Sequence, residues 1–229
     1  MDAPNDARRP RLLPLALPLL ALLPACGAPS EETVATRIQG DVHFLDGYPA
    51  RAADGRLNVV IEVPAGTLAK WEVDAESGVL EWEMKNDARR VVQFLAYPGN
   101  YGMVPSTLHS KESGGDGDPL DVIVLGASVA RGALVPVTPI GVLGMLDGGE
   151  LDEKIVAVAS GTPFEAVTSI EELDDRFPGA SKILATWFAS YKGPGETQLT
   201  GFNGPENAAE LIEEAISDYA AQEAAERAR

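Results

Sequence analysis

The string Asp116-Gly-Asp118-Pro-Leu-Asp121 runs directly into the apolar stretch VIVL at 122–125, and this junction limits the possible folds more than any other feature. Four β-prone aliphatics in a row read as a buried strand. Three carboxylates within six residues cannot follow that strand into a core. Like charges this close raise one another's pKa and cost stability unless cations lie between them. The strand must therefore open at its mouth into a polar site. Read alone, the string is an acidic solvated turn. A calcium loop of the EF-hand type is the other local reading, but it needs an acid at 120 and glycine at 121, where Leu120 and Asp121 stand.

Around this junction the pattern is of short strands first and helices later. Residues 58–63 (NVVIEV), 70–74 (KWEVD) and 79–83 (VLEWE) are separated by Pro, Gly or acidic turn signals, and the last two alternate apolar and polar positions. Further strands are expected at 120–125, at 134–145 with Pro136 and Pro139 as interruptions, and at 155–159. Loops are expected at 85–88 and 109–117. Ser169 with Glu172 forms a capping box before a short helix. Ile183, Leu184, Trp187, Phe188 and Tyr191 trace one face of a second helix, with Gly193 suited to its C-terminal cap. Leu211, Ile212, Ala215, Ile216 and Tyr219 mark a third, whose tail AAQEAAERAR has little to bury. Short strands followed by helices predict an α+β fold built on a small closed barrel.

The N-terminus reads as an address. Three arginines among residues 1–11 precede an apolar run at 12–25, then Cys26 and Gly27, which is the order of an export signal. The run is short and broken by proline, unlike a spanning helix of about 20 residues. Leu23-Pro24-Ala25-Cys26 resembles the lipobox of bacterial lipoproteins. That resemblance implies lipidation of Cys26 as the mature N-terminus; a plain signal peptide with an incidental cysteine is the alternative. The expected organisation is a signal peptide at 1–25, an anchor linker and irregular entry segment at 26–57, and one folded domain at 58–229. The product is exported and held to a membrane on its periplasmic or cell-surface side.

Charge decides what the acidic site can hold. The 229-residue chain has 35 acidic against 18 basic residues, a net charge of −17. It repels nucleic acid, and it repels a phosphate substrate unless bound cations reverse the local field. One cysteine excludes an intrachain disulfide, and two histidines with that cysteine argue against structural zinc. Carboxylate ligands point to a hard cation, Mg2+ or Mn2+.

The cluster does not stand alone. Asp147 and Asp152 lie in the run MLDGGELDEK, with Lys154 two residues on. Glu62 sits in IEVPA, and Lys70 and Glu72 are spaced by two in the next strand. Arg89, Tyr101, Tyr191 and Lys192 complete the set. The strings VIEVPAG, KWEVD, ESGVL, YPGNYG, DGDPLDVIVLG, IGVLGMLDGGELDEKIVAV and WFASYKG follow in order from about residue 58 to 201. Together they resemble family I soluble inorganic pyrophosphatases.

The resemblance implies an OB-type five-stranded barrel with packed helices, and hydrolysis of inorganic diphosphate by a metal-activated water. It implies metal ligation by Asp116, Asp121 (bridging two ions), Asp147, Asp152 and Glu62, with Glu72 a neighbouring acid. Asp118 would orient or deprotonate the attacking water. Lys70, Arg89, Tyr101, Tyr191 and Lys192 would grip the phosphoryl groups, with Lys154 beside them. Spacing back from Tyr97 and Tyr101 favours Arg89, and Arg90 stays open. The segment from Gly78 to Arg89 is longer than in compact bacterial members, and the lysine that members often carry after the YK pair has no counterpart in 193–204. A non-catalytic exported lipoprotein binding cations or phosphate compounds is the second reading. The resemblance leaves monomer, dimer and hexamer open.

Overall fold

The structure is a computed structural model that describes residues 35–228. The expected signal segment and Cys26 lie outside the described residues. Twelve strands and three helices follow in order. The first half contains β1 (Arg37–Ile38), β2 (Leu57–Val63), β3 (Trp71–Val73), β4 (Leu80–Trp82), β5 (Met84–Lys85), β6 (Ala88–Arg89), β7 (Asn100–Met103) and β8 (Asp121–Leu125). Then come β9 (Leu134–Asp147), β10 (Glu150–Leu151), β11 (Lys154–Ala159), α1 (Ile170–Arg176), α2 (Ala180–Phe188), β12 (Thr197–Asn203) and α3 (Pro205–Arg227).

The chain is α+β with a mixed main sheet. Its ladders run β9–β11 antiparallel, β11–β8 parallel, β8–β7 antiparallel and β7–β2 antiparallel. β2 also pairs with β9, Leu57 opposite Val137, so the ladders return to their starting strand. β10 and β12 extend β9 along its far half. A separate sheet holds β1, β4 and β3, and β5 with β6 forms a hairpin.

Alternation along the central strands fills cores on both faces. Val122 and Val124 of β8 join Leu57, Val59, Ile61, Ile155 and Ala157, and α3 covers that cluster with Ile212 and Ala215. Ile123 and Leu125 face the other way, onto Tyr97, Tyr101, Val156, Leu184, Trp187 and Phe188. Burying each of these large side chains contributes roughly 1.5–3 kcal/mol. Asn100 is buried but satisfied: its side-chain carbonyl accepts from the Ala65 and Val129 amides, and its amide donates to the Ala127 carbonyl.

Several expectations need correction. Folded structure begins before residue 58. Phe44 and Leu45 pack with Val60, Trp71, Leu80 and Met103, Ala50 joins the cluster of Leu57 and Val59, and β1 pairs with β4. Residues 85–88 are a tight hairpin turn, since Asn86 and Asp87 both adopt positive φ, 53° and 60°. Pro136 and Pro139 do not interrupt β9; a register irregularity opposite Val156 and Ala157 absorbs Pro139. Ser169 caps α1 by accepting from the Glu172 amide, while the Glu172 carboxylate returns to Thr168 rather than to Ser169. Ile183 is 61% exposed beside Phe94 and Leu95, off the buried face made by Leu184, Trp187 and Phe188. Helix α2 ends at Phe188, so Gly193 belongs to a later turn. The tail of α3 stays helical to Arg227.

Gly102 sets the closest approach in the main sheet. A Cβ there would lie 2.0 Å from the Val60 carbonyl oxygen. Gly102→Ala should therefore cost about 3 kcal/mol or more and lower the melting temperature by roughly 10 °C in thermal unfolding. An unchanged melting temperature would contradict this packing.

Candidate active site

Strand register builds the centre of the site. β8 and β11 run parallel with Asp121 opposite Lys154, so both side chains leave the sheet on one face, at one end. The Lys154 ammonium is 1% exposed as a residue and bonds the carboxylates of both Asp121 and Asp152. Asp152 reaches this point because β9 and β10 are joined by Gly148 and Gly149, both at positive φ, a two-residue turn only glycine adopts freely. The same turn leaves Asp147 at the end of β9, where it bonds Lys192. The DGD loop folds on itself. Asp116 accepts from the Asp118 amide at 3.0 Å, and Gly117 turns the chain at φ +89°.

Two connected lobes form a groove over this centre. One, of about 280 Å³, is lined by Lys70, Glu72, Arg90, Tyr101, Asp116, Asp118, Asp121, Asp147, Glu150, Asp152, Lys154, Tyr191 and Lys192. The other, of about 500 Å³, shares Lys70, Glu72, Tyr101, Asp118 and Asp121 and adds Glu62, Trp82 and Glu83. Tyr191 is held by stacking on Trp187, ring centres 4.6 Å apart. Trp187 is fixed in turn by donating its indole N–H to the Leu95 carbonyl.

The electrostatics follow from burial and crowding. Burial pushes the Glu62 carboxyl up to about 8, although Lys70 pulls the other way and the Val73 amide donates to it at 2.9 Å. Asp118, where the lobes meet, is raised first by partial desolvation of its carboxyl and then by Asp116, Asp121, Glu72 and Asp152. Burial would raise Asp121 too, but Lys154 and Lys70 bring it below its ordinary value. For Asp152 burial prevails and the carboxyl is raised. Lys70 and Lys154 stay cationic: burial disfavours their charge, and the facing carboxylates more than offset it. Burial raises Tyr101 and Tyr191.

The structure brings together Asp116, Asp118, Asp121, Asp147, Asp152, Glu62, Glu72, Lys70, Lys154, Lys192, Tyr101 and Tyr191. It does not bring in Arg89, which lies exposed over the Trp82 ring at 5.2 Å. Arg90 lines the groove instead. Residues alternate sides across the hairpin, and a two-residue turn decides which arginine faces inward. Glu83 and Glu150 also line the groove; nothing in their local sequence distinguishes them from surface acids.

Seven carboxylates and four cations line the smaller lobe, an excess of negative charge that suits an added cation. The donors are hard oxygens, the set that holds Mg2+ or Mn2+. Among the described residues no three of them already converge as a cage. Lys154 takes the place of a cation between Asp121 and Asp152.

Comparison with known proteins agrees with this geometry. Residues 59–220 match the family model described as inorganic pyrophosphatase. An inorganic pyrophosphatase from Rickettsia typhi is 35% identical over 178 residues, 76% of this chain and 94% of that one. The chloroplastic soluble inorganic pyrophosphatase 1 of Chlamydomonas reinhardtii is 36% identical over 158 residues, 64% of this chain; the match spans only 56% of the algal protein. The inorganic pyrophosphatase structure from Schistosoma japonicum superposes with a TM-score of 0.72 at 30% identity, covering 77% of this chain and 70% of that one.

Glu62 gives the metal-free protein a pH signature. Its folded pKa, about 8, lies above the ordinary carboxyl value, so the folded state binds this proton more tightly than the unfolded state. That contribution to stability is complete below the ordinary value and is lost as pH rises to about 8 and beyond. In chelator, Glu62→Gln should melt with wild type near pH 5 and several degrees above it near pH 9, by roughly 4 °C or more. Equal melting at both pH values would show that Glu62 does not carry a raised pKa.

Proposed function

Because the chain belongs to the inorganic pyrophosphatase family, it hydrolyses inorganic pyrophosphate to two phosphates, and we propose that it does so in the groove over Asp121 and Lys154. The observation that carries this reading is convergence: residues from β2, β7, β8, β9, β11 and the loops beside them meet there with the charge pattern the reaction needs.

Members of this family depend on a metal. We assign Mg2+, with Mn2+ able to replace it, to Asp116, Asp121, Asp147, Asp152 and Glu62. When bound, the metal supplies positive charge to the phosphoryl oxygens and acidifies water. The chain does the rest. Asp118, with its raised carboxyl pKa at the junction of the lobes, orients the attacking water and takes its proton. Lys70, Lys192, Arg90, Tyr101 and Tyr191 bind the phosphoryl oxygens, the arginine as a fork and the lysines as point charges. Lys154 holds Asp121 and Asp152 at their spacing, and Glu72 sits beside Lys70 at 3.6 Å. Little covalent work falls to the protein, because phosphoryl transfer depends on position and charge. The five-strand ring of ladders supports reading the fold as an OB-type barrel. A purely binding role is the weaker reading, since Asp118 has no metal-holding part here yet faces the reaction space.

We also infer that the protein is exported and tethered through a lipid on Cys26. The support is sequence: three arginines, the apolar run at 12–25 and the lone cysteine directly after it.

Two outcomes test these assignments. Asp118→Ala should lose about 10²–10⁴-fold in Mg2+-dependent phosphate release while still binding metal by calorimetry. Full activity in that variant would remove Asp118 from the mechanism. In a bacterial host, Cys26→Ser should shift the protein from the detergent-rich to the aqueous phase on detergent partitioning. Unchanged partitioning would remove the anchor.

A further inference from the structure

In the hairpin from Glu83 to Arg90 the function gives a part to Arg90 alone and leaves Glu83, which lines the groove beside it, without one. Its turn residues, Asn86 and Asp87, fix the register: Met84 opposes Arg89, Lys85 opposes Ala88, and Glu83 therefore meets Arg90 at the base. The Arg90 amide donates to the Glu83 carbonyl at 2.8 Å. The Glu83 amide donates to the Lys70 carbonyl, and the Lys70 amide donates to the Arg90 carbonyl. The Trp82 indole N–H donates to that same Arg90 carbonyl at 2.8 Å. Arg90 is thus tied through its backbone to Lys70, another cation of the groove.

The side chains complete the pattern. One terminal nitrogen of Arg90, Nη1, donates to both oxygens of Glu83, at 2.7 and 2.6 Å. Among the described residues its other N–H groups have no partner within the protein, and the side chain lines the lobe that holds Lys154, Tyr191 and Lys192. The Nε and Nη2 groups of the planar fork therefore remain for an oxyanion. Arg89, on the opposite side of the strand, lies over Trp82. Trp82 also stacks on Trp71, ring centres 5.7 Å apart, and Trp71 lies under Arg131 at 4.3 Å.

We propose that Glu83 is a positioning residue: it holds one end of the Arg90 guanidinium so that the free end faces the substrate's phosphoryl oxygens, while Arg89 serves as cover for Trp82. In this role Glu83 acts on the reaction through Arg90, although its side chain also borders the larger lobe. It acts by removing rotational freedom from Arg90, which would otherwise be spent at each binding event. The inference rests on the pyrophosphatase reading.

Steady-state kinetics with Mg2+ and pyrophosphate on the full-length protein test it, using Arg89→Ala, Arg90→Ala, Glu83→Ala, Glu83→Gln and the Glu83→Ala/Arg90→Ala double variant. Glu83→Ala should raise KM about tenfold with kcat within about threefold, the size of one charge-assisted hydrogen bond lost. Glu83→Gln, which keeps one acceptor, should fall between it and wild type. Arg90→Ala should raise KM by at least as much, and Arg89→Ala by less than about twofold. In the Arg90→Ala background the Glu83 change should add less than about twofold, because a residue that acts only through Arg90 has nothing left to act on. A KM unaffected by Glu83→Ala, or effects that multiply in the double variant, would overturn the proposal. If Glu83→Ala fails to fold by thermal unfolding, Glu83→Gln carries the same cycle. Wild-type protein without turnover would sink the pyrophosphatase reading and this inference with it; turnover with a KM insensitive to Glu83 would sink the inference alone.

Discussion

A lysine with almost no solvent exposure, Lys154, sits between two carboxylates, and the site is organised around that arrangement. A buried ammonium without partners is prohibitively costly, and so are adjacent unpaired carboxylates. Each makes the other tolerable only when β8 and β11 are in register. A slip of one residue would send Lys154 into the cluster of Ile155 and Ala157 and bring an aliphatic to face Asp121. The ion pairs therefore report correct strand pairing as much as they serve chemistry.

Much of the site was legible in the sequence because its parts are local. The carboxylates at 116, 118 and 121 lie beside the strand whose mouth they line. Asp147, Asp152 and Lys154 share one hairpin and the strand after it. The three helices were readable from apolar spacing and, for α1, from Ser169, but their ends were not: α2 stops at Phe188 and α3 runs from Pro205 to Arg227.

The parts that were not legible depend on geometry that spacing does not encode. The Asp121–Lys154 contact comes from a parallel ladder between residues 33 apart. Arg90 replaces Arg89 because the segment at 85–88 is a two-residue turn rather than a loop, which sets the phase of each residue after it. Residues 35–57 carry no periodicity; Phe44, Leu45 and Ala50 are buried one at a time, by docking against β-strands rather than by forming an element of their own. Ile183 fits the helical stripe by spacing, but the apolar face of α2 is narrower than the stripe.

Strand β9 has a consequence for how the molecule comes to exist. Its fourteen residues are shared among four partners, from Leu57 opposite Val137 near its start to Asn203 opposite Val142 farther along. The partners are thus spread over nearly the whole described chain, and closing such distant pairings is slow compared with local structure. Until β12 is available, β9 presents a row of unpaired backbone groups along residues 144–147, where only the short β10 covers the other side. A nascent chain can hold its earlier ladders first, yet the sheet is finished only when β12, which follows α1 and α2 in the chain, has been made. For that interval the protein is an open edge, and the order of synthesis, not only the final energy, decides whether that edge meets β12 or a neighbouring chain.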